Sequence, residues 1–575
     1  MKKIIALAMI SFALAACNSS DQQSASQAAQ ARQPWAEFAV HVIADYYRQN
    51  PNAAVDAGLH DYDGQFPDVS KDALDAYAAW LESTIKAASA YDSLDGIEAF
   101  ERDYLTTELE GQLFWLRESG FPTSNPIFYA YRISLSVYVD REYAPAEERI
   151  QAYTTYVAEI PAMLNLMQEN LQPPLPAPYV KIAHGIFSGL AGYMKTTVPE
   201  LFSVVEDEEL QAGFAEANLA AAEAVQQAAD WLEGLQATAT DDYALGEERF
   251  LKMLSASQGI DISLADLKAA GQLDLDRNLA ALDKACAEFA PGESTKDCVL
   301  KMQNHKPAEG AVGGAQRQLP GLRKFLEDNQ IVTIPGTEEA LVAESPPHRR
   351  FNAAYINIPG PFESGLPSVY YIAPPNPDWS EEDQLAYIPG ETSLLAISVH
   401  EVWPGHFLQY LHSNRVENNI GRHFGTYTFG EGWAHYTEQM MVDAGLGNGD
   451  PEVRIGQLLN ALLRNVRYMS AIGLHTEGMT IDESQALFEE KAFKDFGNAT
   501  QQAFRGTYDP GYLNYTLGKL MINKLRADWT SGRGGREGWG AYHDQFLSYG
   551  SPPIPLIREQ MLGDEYDGDA ALLPH

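Results

Sequence analysis

The sequence contains few basic residues and few cysteines for its length. Of its 575 residues, 40 are lysine or arginine and 79 are aspartate or glutamate, so the formal net charge is −39. Nucleic-acid binding needs a basic surface to meet the phosphates, and this balance argues against it. An acidic surface chiefly serves solubility, although it is also compatible with cationic substrates.

Long apolar runs are missing beyond the N-terminus. There, Lys2 and Lys3 precede the apolar stretch 4–13 and a small-residue site that ends at Cys17. This order is typical of a secretory signal, and the stretch is shorter than the ~20 residues of a membrane-spanning helix. The site resembles a bacterial lipobox, which implies lipidation of Cys17 in the cell envelope, and Asn18 favours the outer membrane, facing the periplasm. An ordinary cleaved signal peptide is the alternative.

The rest of the chain predicts one large unit. Residues 18–33 are rich in serine, glutamine and alanine and lack apolar periodicity, which predicts a flexible tether. No second linker of this kind follows, and 45% of the residues are hydrophobic, enough for a sizeable core. We therefore expect a lipoprotein signal peptide at 1–17, the tether at 18–33, and a single two-lobed domain at 34–575.

Only three cysteines are present, and one of them is Cys17. Cys286 and Cys298 remain, in a stretch that Pro291 and Gly292 predict to be rich in loops. In an oxidising periplasm these two residues are candidates for a disulfide bond. They are not expected to bind zinc, because no further cysteine or paired CxxC motif accompanies them.

Helical periodicity dominates residues 35–236 and resumes at 392–529. Residues 208–236 are the clearest case, since apolar side chains recur there at about 3.6-residue spacing. This apolar stripe consists of Phe214, Leu219, Ala222, Val225, Ala229 and Leu232. After Trp529, the prolines at 552, 553 and 555 predict an irregular tail packed on the surface.

Strand-forming residues are concentrated at 355–358 and 369–372, on either side of a segment that contains Pro359 and Gly360. This pattern predicts a small β hairpin or sheet. It would either offer an edge to an extended peptide or cap the core. The predicted fold class is therefore mainly α, with a small β element just upstream of the residues that carry the chemistry.

The segment 399–409 contains His400, Glu401 and His406. A histidine followed by glutamate, with a second histidine nearby on one helix, is how many zinc peptidases hold their metal. The imidazoles bind zinc, the metal lowers the pKa of a water molecule, and the glutamate accepts its proton. The segment predicts one zinc ion per chain, ligated by His400 and His406, with Glu401 as general base.

The spacing of the two histidines is unusual. Zinc peptidases commonly place them four residues apart, on one helix face, whereas a separation of six leaves His400 and His406 ~120° out of line. Pro404 cannot donate a hydrogen bond to the carbonyl of His400, and it is followed by Gly405. We therefore expect a bulge in this helix that brings His406 beside His400.

A second segment supplies acidic residues on one helix face. Glu431, His435 and Glu438 lie within ~60° of one another on a helix, opposite apolar side chains such as Trp433. Such a stripe is costly in apolar surroundings unless something satisfies it, as a metal ion does. We predict Glu431 as the third ligand, and His435 and Glu438 as residues that orient the ligands. The alternative for each is a buried polar residue held by hydrogen bonds.

The two segments read HEVWPGH and EGWAHYTE. They resemble the bacterial DUF885 family, which carries HExxPGH followed by EGWAxYxE, and the likeness covers nearly the whole mature chain. The run at 406–410 is also similar to the ligand helix of angiotensin-converting enzyme and its mostly helical relatives, which use HExGH and a downstream glutamate. These resemblances imply a helical shell around a deep cleft and cleavage of peptides rather than folded proteins.

Two regions further downstream also resemble the family. The segment 467–475 matches it at Arg467, Gly473 and His475, while Ala471 stands where the family carries an acidic residue. The resemblance implies that Arg467 and His475 bind substrate, and Arg467 could hold a carboxylate as a planar fork. A salt bridge between helices is the alternative for Arg467.

A tyrosine is expected to assist the reaction, because related peptidases use a tyrosine or histidine to stabilise the oxyanion. Tyr515 best matches the family position, and Tyr508 is the second choice. The alternative for either is a tyrosine of the core.

The sequence thus predicts a zinc peptidase that hydrolyses peptide or amide bonds of small peptides in the cell envelope. Peptide substrates are the expected partners, and the N-terminal lipid is the only expected contact with the membrane. Two alternatives remain: an inactive lipoprotein that binds peptides or partners through the same cleft, and a metal-dependent hydrolase of a non-peptide bond. The sequence does not predict which end of a peptide is attacked or the oligomeric state.

Overall fold

A computed structural model describes residues 33–346, 349–350, 353–417, 420–565 and 572–574. The predicted signal peptide with Cys17, and residues 18–32 of the predicted tether, lie outside these residues. The prediction of a mainly α fold with a small β element is confirmed. None of the helices in the described part of the chain has the length and apolar composition that crossing a membrane requires.

The first part of the chain consists of helices joined by short turns. They are α1 (Trp35–Gln49), α2 (Pro51–Asp56), α3 (Lys71–Ser89), α4 (Gly96–Arg117), α5 (Phe121–Ser124), α6 (Pro126–Ala130), α7 (Ser136–Asp140), α8 (Ala146–Val157), α9 (Ile160–Asn170), α10 (Ala177–Leu201) and α11 (Glu208–Leu235).

Helix α11 matches the predicted helix at 208–236. Asp207 caps it by accepting hydrogen bonds from two backbone N–H groups of the first turn. Most of the predicted apolar stripe is buried, but Leu219 is 53% exposed, while the neighbouring Asn218 is buried and accepts a hydrogen bond from Tyr153. Because the buried face is set by the packing of α8 and α10 against α11, spacing alone could not assign Leu219 correctly.

Four helices follow: α12 (Glu247–Gln258), α13 (Leu264–Phe289), α14 (Thr295–Asn304) and α15 (Gly310–Asn329). Cys286 lies on α13 and Cys298 on α14, and a disulfide bond joins them. The prediction of a loop-rich stretch here was wrong, since Pro291 and Gly292 occupy only a short turn between these helices. Ser294 caps α14, so the chain returns to helix at once.

The sheet contains β1 (Ala340–Glu344), β2 (Ala354–Asn357) and β3 (Ser368–Ile372), in the order β1-β3-β2. The predicted strands β2 and β3 pair antiparallel, and β1, which was not predicted, pairs parallel with β3. Alternate residues of the central strand are buried, and among them the ring of Tyr370 packs into the main core.

The last part is helical again. It contains α16 (Glu381–Tyr387), α17 (Glu391–Glu401), α18 (His406–Ser413), α19 (Tyr427–Asp443), α20 (Pro451–Ile472), a π-helical turn (Gly473–Glu477), α21 (Ile481–Lys491), α22 (Phe496–Tyr508), α23 (Asn514–Ser531), α24 (Trp539–Leu547) and α25 (Ile554–Leu562). Short 3-10 turns occur at His60–Tyr62, Gln236–Thr238, Ile420–Arg422, Leu446–Gly449, Pro510–Leu513, Gly535–Gly538 and Gly563–Glu565.

The prediction of an irregular C-terminal tail on the surface was wrong. Helices α24 and α25 occupy much of that stretch, and Ile554, Ile557 and Arg558 are buried. The prolines begin α25 rather than preventing it, because proline fits the first turn of a helix, where its missing N–H is not needed.

The buried apolar side chains form separate clusters. One lies among the helices between Val55 and Leu232. A larger one joins the sheet to α17, α19, α20 and α23, which also pack directly against one another. These four helices surround the residues that the sequence singles out. The two-lobed arrangement stays a prediction.

Candidate metal centre

The two histidines lie on different helices. Helix α17 ends at Glu401, α18 begins at His406, and residues 402–405 connect them. The prediction of one bulged helix was therefore wrong. The two histidines nevertheless lie side by side, as expected: their ring centroids are 4.9 Å apart and the rings are nearly perpendicular. Because one helix ends and another begins between the two histidines, the angular offset expected for a continuous helix does not apply, and the rings lie close together.

Residue 405 must be glycine for this break to form. A Cβ atom there would lie 1.7 Å from the carbonyl oxygen of His400. The N–H of Gly405 donates a hydrogen bond to the carbonyl of Val399 (2.9 Å), which closes the turn. The indole N–H of Trp433 donates to the carbonyl of Pro404 (2.8 Å) and fastens the connection to α19.

Glu431, on α19, completes a three-residue cluster. Its Oε2 atom lies 3.3 Å from Nε2 of His400 and 3.4 Å from Nε2 of His406. One ligand atom from each residue lies within 4.8 Å of the others. Within the described residues, no hydrogen bond of good geometry reaches this buried carboxylate oxygen. Three potential ligand atoms thus face one small space.

Glu438 fixes the orientation of His400. Its Oε1 lies 2.8 Å from Nδ1 of His400. Because an ionised carboxylate only accepts hydrogen bonds, Nδ1 carries a proton, and in neutral imidazole Nε2 then presents a lone pair to Glu431. A lone pair and a carboxylate at this distance repel each other unless a proton or a metal ion lies between them. Glu438 thus occupies the orienting position that the sequence suggests.

The charges of the cluster are strongly coupled. Burial and Arg464 disfavour protonation of His400, but Glu431 and Glu438 outweigh them and raise its pKa to about 9. Burial raises the pKa of Glu431, but the nearby imidazoles of His406 and His400 outweigh it and hold the pKa well below the usual range. In the metal-free chain at neutral pH, the carboxylates are therefore ionised and a proton is shared with His400.

Arg464, on α20, was missed in the sequence. Its Nη2 lies 3.2 Å from Oε1 of Glu438, and its Nη1 donates to the carbonyl of Asn460 (3.1 Å). It balances the charge of Glu438, whose pKa it lowers against the effect of burial. Arg464 lies one turn before Arg467, but α20 carries several other polar residues, so the sequence carries no distinct signal for it.

His435 is fully buried, with Nδ1 3.5 Å from Oε2 of Glu438. Burial outweighs the charge of Glu438 and lowers the pKa of His435 to about 4, so the imidazole is neutral. The histidine contacts Glu438 rather than His400, His406 or Glu431. It acts on the cluster only through that carboxylate.

Glu401 lies at the end of α17 and is 8% exposed. Burial, together with the negative charge of Glu401, raises the pKa of Tyr370 on β3. This coupling puts the sheet next to Glu401, and β2 also contacts α17. The β element therefore lies beside the cluster, as the sequence predicts.

The ring of Tyr515 lies beside that of His400. The two rings are nearly parallel, with centroids 6.3 Å apart. Burial and the charge of Glu431 raise the pKa of Tyr515, although three arginines oppose them, so the phenol keeps its proton at neutral pH. Tyr508, the second choice, interacts with Tyr131 instead.

Two glycines bring Tyr515 and Glu431 together. Gly432 on α19 and Gly518 on α23 face each other so closely that a Cβ on Gly432 would lie 2.6 Å from the Cα of Gly518. A Cβ on Gly518 would lie 2.1 Å from the carbonyl oxygen of Thr428. The two helix backbones are therefore in contact at the level of the cluster.

The two predicted substrate-binding residues differ. Both ring nitrogens of His475 meet backbone groups: Nε2 contacts the carbonyl of Gly506 (2.8 Å), and Nδ1 accepts from the N–H of Leu245 (3.3 Å). His475 therefore braces the surrounding chain and has no ring nitrogen left for a substrate. Arg467 is closer to the cluster, since its guanidinium lies 4.9 Å from the ring centroid of Tyr515.

The chain matches the family described as "Bacterial protein of unknown function (DUF885)" over residues 51–561. No curated protein matches it. Two solved structures share the fold: a candidate lipoprotein of unknown function from Shewanella oneidensis (22% identity, TM-score 0.77, 92% of this chain and 100% of that one) and a candidate lipoprotein from Colwellia psychrerythraea (17%, 0.75, 92% and 98%). Because the family match spans most of its length, this chain belongs to the DUF885 family.

Proposed function

We propose that this protein is a zinc-dependent peptidase that hydrolyses peptide or amide bonds of small peptides in the cell envelope. The observation that carries the proposal is the convergence of His400 Nε2, His406 Nε2 and Glu431 Oε2 on one point. All three atoms offer electron pairs, and Glu431 Oε2 is buried without a well-formed hydrogen bond in the described residues. A divalent cation satisfies all three at once.

Zinc fits this donor set best. Two imidazoles and one carboxylate, with a fourth position left for water, form a common catalytic zinc site. The contact of Glu438 with His400 resembles the carboxylate that orients a zinc-binding histidine in such sites. Zinc bound there would polarise the scissile carbonyl and acidify a water molecule.

The reaction assigns roles to two more residues. Glu401 follows His400 directly, and in this proposal its carboxylate accepts a proton from the attacking water and delivers it to the leaving amine. Tyr515 keeps its phenolic proton beside His400, and in this proposal it donates a hydrogen bond to the developing oxyanion. A site that only bound metal would not need the carboxylate of Glu401, which favours catalysis over passive binding.

The location in the envelope rests on separate support. The sequence around Cys17 resembles a lipobox. The disulfide between Cys286 and Cys298 suits an oxidising compartment, and both structural relatives are described as candidate lipoproteins. Labelling cells with a fatty acid tests this: the chain should incorporate the label, and Cys17→Ser should not.

Metal content of the purified chain tests the centre. We expect about one zinc per chain, lost in His406→Ala, because two ligands hold the metal far less tightly than three. His412→Ala is the matched control, since His412 lies on the same helix but its ring bonds the carbonyl of Thr333, outside the cluster. Absence of zinc from the native chain, even after zinc is offered and the excess removed, would contradict the proposal.

A panel of peptides and small esters then tests the reaction. Glu401→Gln should keep its zinc and lose peptide hydrolysis by about 10²–10⁴-fold, the usual contribution of a general base. Hydrolysis of esters but not peptides would favour the non-peptide alternative. Peptide binding without turnover by the zinc-loaded native chain would favour the inactive binding protein.

A further inference from the structure

Arg467 is a buried cation without an anionic partner. It lies on α20 and is 8% exposed. Its Nε donates to the side-chain oxygen of Gln502 (2.8 Å), a neutral group. Among the described residues, no carboxylate lies within ion-pairing distance of the guanidinium, and no acceptor hydrogen-bonds to its two terminal nitrogens. In a chain with a net charge of −39, such an arrangement is unexpected unless another anion fills it.

The neighbouring cations do not relieve this imbalance. Arg464 pairs with Glu438, and Arg505 pairs with Asp509 (2.9 Å), so both acids are already engaged. Burial, Arg505 and Arg464 all lower the pKa of Arg467. The positive charges around Arg467 therefore exceed the negative ones.

Lys494, which is partly exposed, is a second cation whose charge acts on Arg467. Burial, Arg464 and Arg467 lower its pKa to about 8, so it is still charged at neutral pH. In the described part of the chain, no carboxylate lies within ion-pairing distance of its ammonium group. The charge of Lys494 therefore adds to that of the buried Arg467, and an anion bound to Arg467 would offset both.

Arg467 lies near the proposed zinc site. The ring of Tyr515 is a common neighbour: its centroid is 4.9 Å from the guanidinium of Arg467 and 6.3 Å from that of the His400 ring. An extended peptide advances about 3.3–3.6 Å per residue. A peptide whose scissile bond lies at the cluster would thus bring a carboxylate to Arg467 if its chain ended one or two residues later.

We infer that Arg467, assisted by Lys494, binds the free C-terminal carboxylate of a peptide. The guanidinium offers two terminal nitrogens as a fork that matches both carboxylate oxygens. The inference rests on the proposed function for its consequence, which is cleavage close to the C-terminus. Hydrolysis breaks one C–N bond and adds water across it, so that it leaves a shortened peptide with a new carboxylate and a free amino acid or dipeptide.

Binding to the metal-free chain tests the site without turnover. The probes are an N-acetylated tripeptide with a free C-terminal carboxylate and the same tripeptide as its C-terminal amide, each titrated by calorimetry. We expect the carboxylate form to bind about 10- to 100-fold more tightly, since hydrogen bonds to charged groups contribute about that much. Arg467→Gln should abolish the preference, and Lys494→Gln should reduce it.

Two variants separate recognition from folding. Arg467→Lys keeps the charge without the fork, and we expect it to restore part of the preference, which a purely structural role would not predict. Arg454→Gln is the control: it lies on the same helix, pairs with Asp443 at the surface, and should leave the preference unchanged. Equal binding of both tripeptides by the native chain, or a preference that survives Arg467→Gln, would overturn the inference.

Turnover by the zinc-loaded chain distinguishes the two proposals. Hydrolysis of both tripeptides at equal rates would support a peptidase and overturn the carboxylate site. A carboxylate preference in binding, in a chain that takes up no zinc, would support the site and contradict the proposed function. Cleavage of the free-carboxylate peptide alone, with release of its last one or two residues, is the result we expect.

Discussion

The helices before residue 260 and those after residue 390 both bury large surfaces, but with different side chains. In the described residues up to Gln258, most buried polar side chains are neutral hydroxyls and amides, and one carboxylate oxygen of Glu108 is buried as well. The neutral ones are Thr84, Ser119, Asn125, Asn218 and Gln258. After residue 390, buried side chains include the charged or titratable groups His400, Glu401, His435, Glu438, Arg464, Arg467 and Lys519.

This difference distinguishes side chains that mainly stabilise the fold from side chains that offer groups for chemistry. Burial of a charged group is costly unless it is paired, whereas apolar burial stabilises at roughly 25 cal/mol per Å². The first region is held together by side chains such as Phe187 and Leu232, which have no chemistry to offer. The second region buries many charged or titratable side chains, and the partner of each one indicates its role. We expect substitutions in the two regions to separate accordingly.

The largest effect should come from a buried ion pair close to the cluster. Lys519 and Asp274 are each 1% exposed and in contact. Lys519→Met leaves a buried carboxylate short of its partner, so we expect a loss of about 3–5 kcal/mol in the free energy of unfolding. Chemical denaturation measures it. The surface pair of Lys324 and Asp328 provides the control, because Lys324→Met should leave the stability nearly unchanged.

The same pair makes a prediction about acid. Burial raises the pKa of Asp274, but Lys519 and Arg277 outweigh it and lower the pKa to about 2 from 3.8. Its contribution is therefore complete above pH 3.8 and is lost as the pH falls through 2. A Lys519→Met chain whose stability depended on pH in this window as steeply as the native chain would contradict this assignment.

In the first region, Leu232→Ala should cost about 2–5 kcal/mol of stability, because it leaves a cavity in the core. It should leave zinc affinity unchanged, since Leu232 has no contact with the cluster. Leu219→Ala, on the same helix but 53% exposed, should change stability by no more than about 0.5 kcal/mol. A change in zinc affinity in either variant would contradict the expectation that the first region stabilises the fold without affecting the cluster.

A smaller effect is expected at Glu438. Glu438→Gln removes the charge that orients His400 and pairs with Arg464, so zinc should bind about 10- to 100-fold more weakly. Competition with a chelator measures this. Glu452→Gln is a matched control, since Glu452 makes a similar contact with His305 outside the cluster (2.7 Å). Equal zinc affinity in both variants would show that Glu438 does not orient a ligand.

The last prediction concerns pH. Because the pKa of His400 in the metal-free chain is about 9, above the ordinary 6.5, zinc must displace a proton at neutral pH. Zinc affinity should therefore rise about tenfold per pH unit between 6.5 and 9. The metal-free chain should behave in the opposite way, losing stability as the pH rises through this range. Calorimetry in buffers of different ionisation enthalpy counts the released proton, and none would contradict the assignment.

Local spacing was sufficient to predict part of this structure. His400 and Glu401, and separately Glu431 and Glu438, are close in sequence, so their residue types already suggest a common site. The bounds of α11 followed from its apolar periodicity for the same reason. Likewise, the β-rich residues of β2 and β3 marked two of the three strands.

The remainder depended on contacts between distant segments. Arg464 and Lys494 reach the site from elements far along the chain, and neither carries a local signal of its partner. His475 matched a family position, yet its nitrogens are used by backbone groups that only the fold brings near. The course of residues 402–405 could not be derived either, since proline and glycine permit both a bulge and a complete break in the helix.

The contact between Gly432 and Gly518 limits how this site can change. The separation of Glu431 from Tyr515 is set by two touching backbones, so no side chain there can adopt another rotamer to restore it after a substitution. Any larger residue at either position pushes the helices apart, and the opposite residue cannot become smaller to compensate. A change at either glycine therefore has to move both helices together.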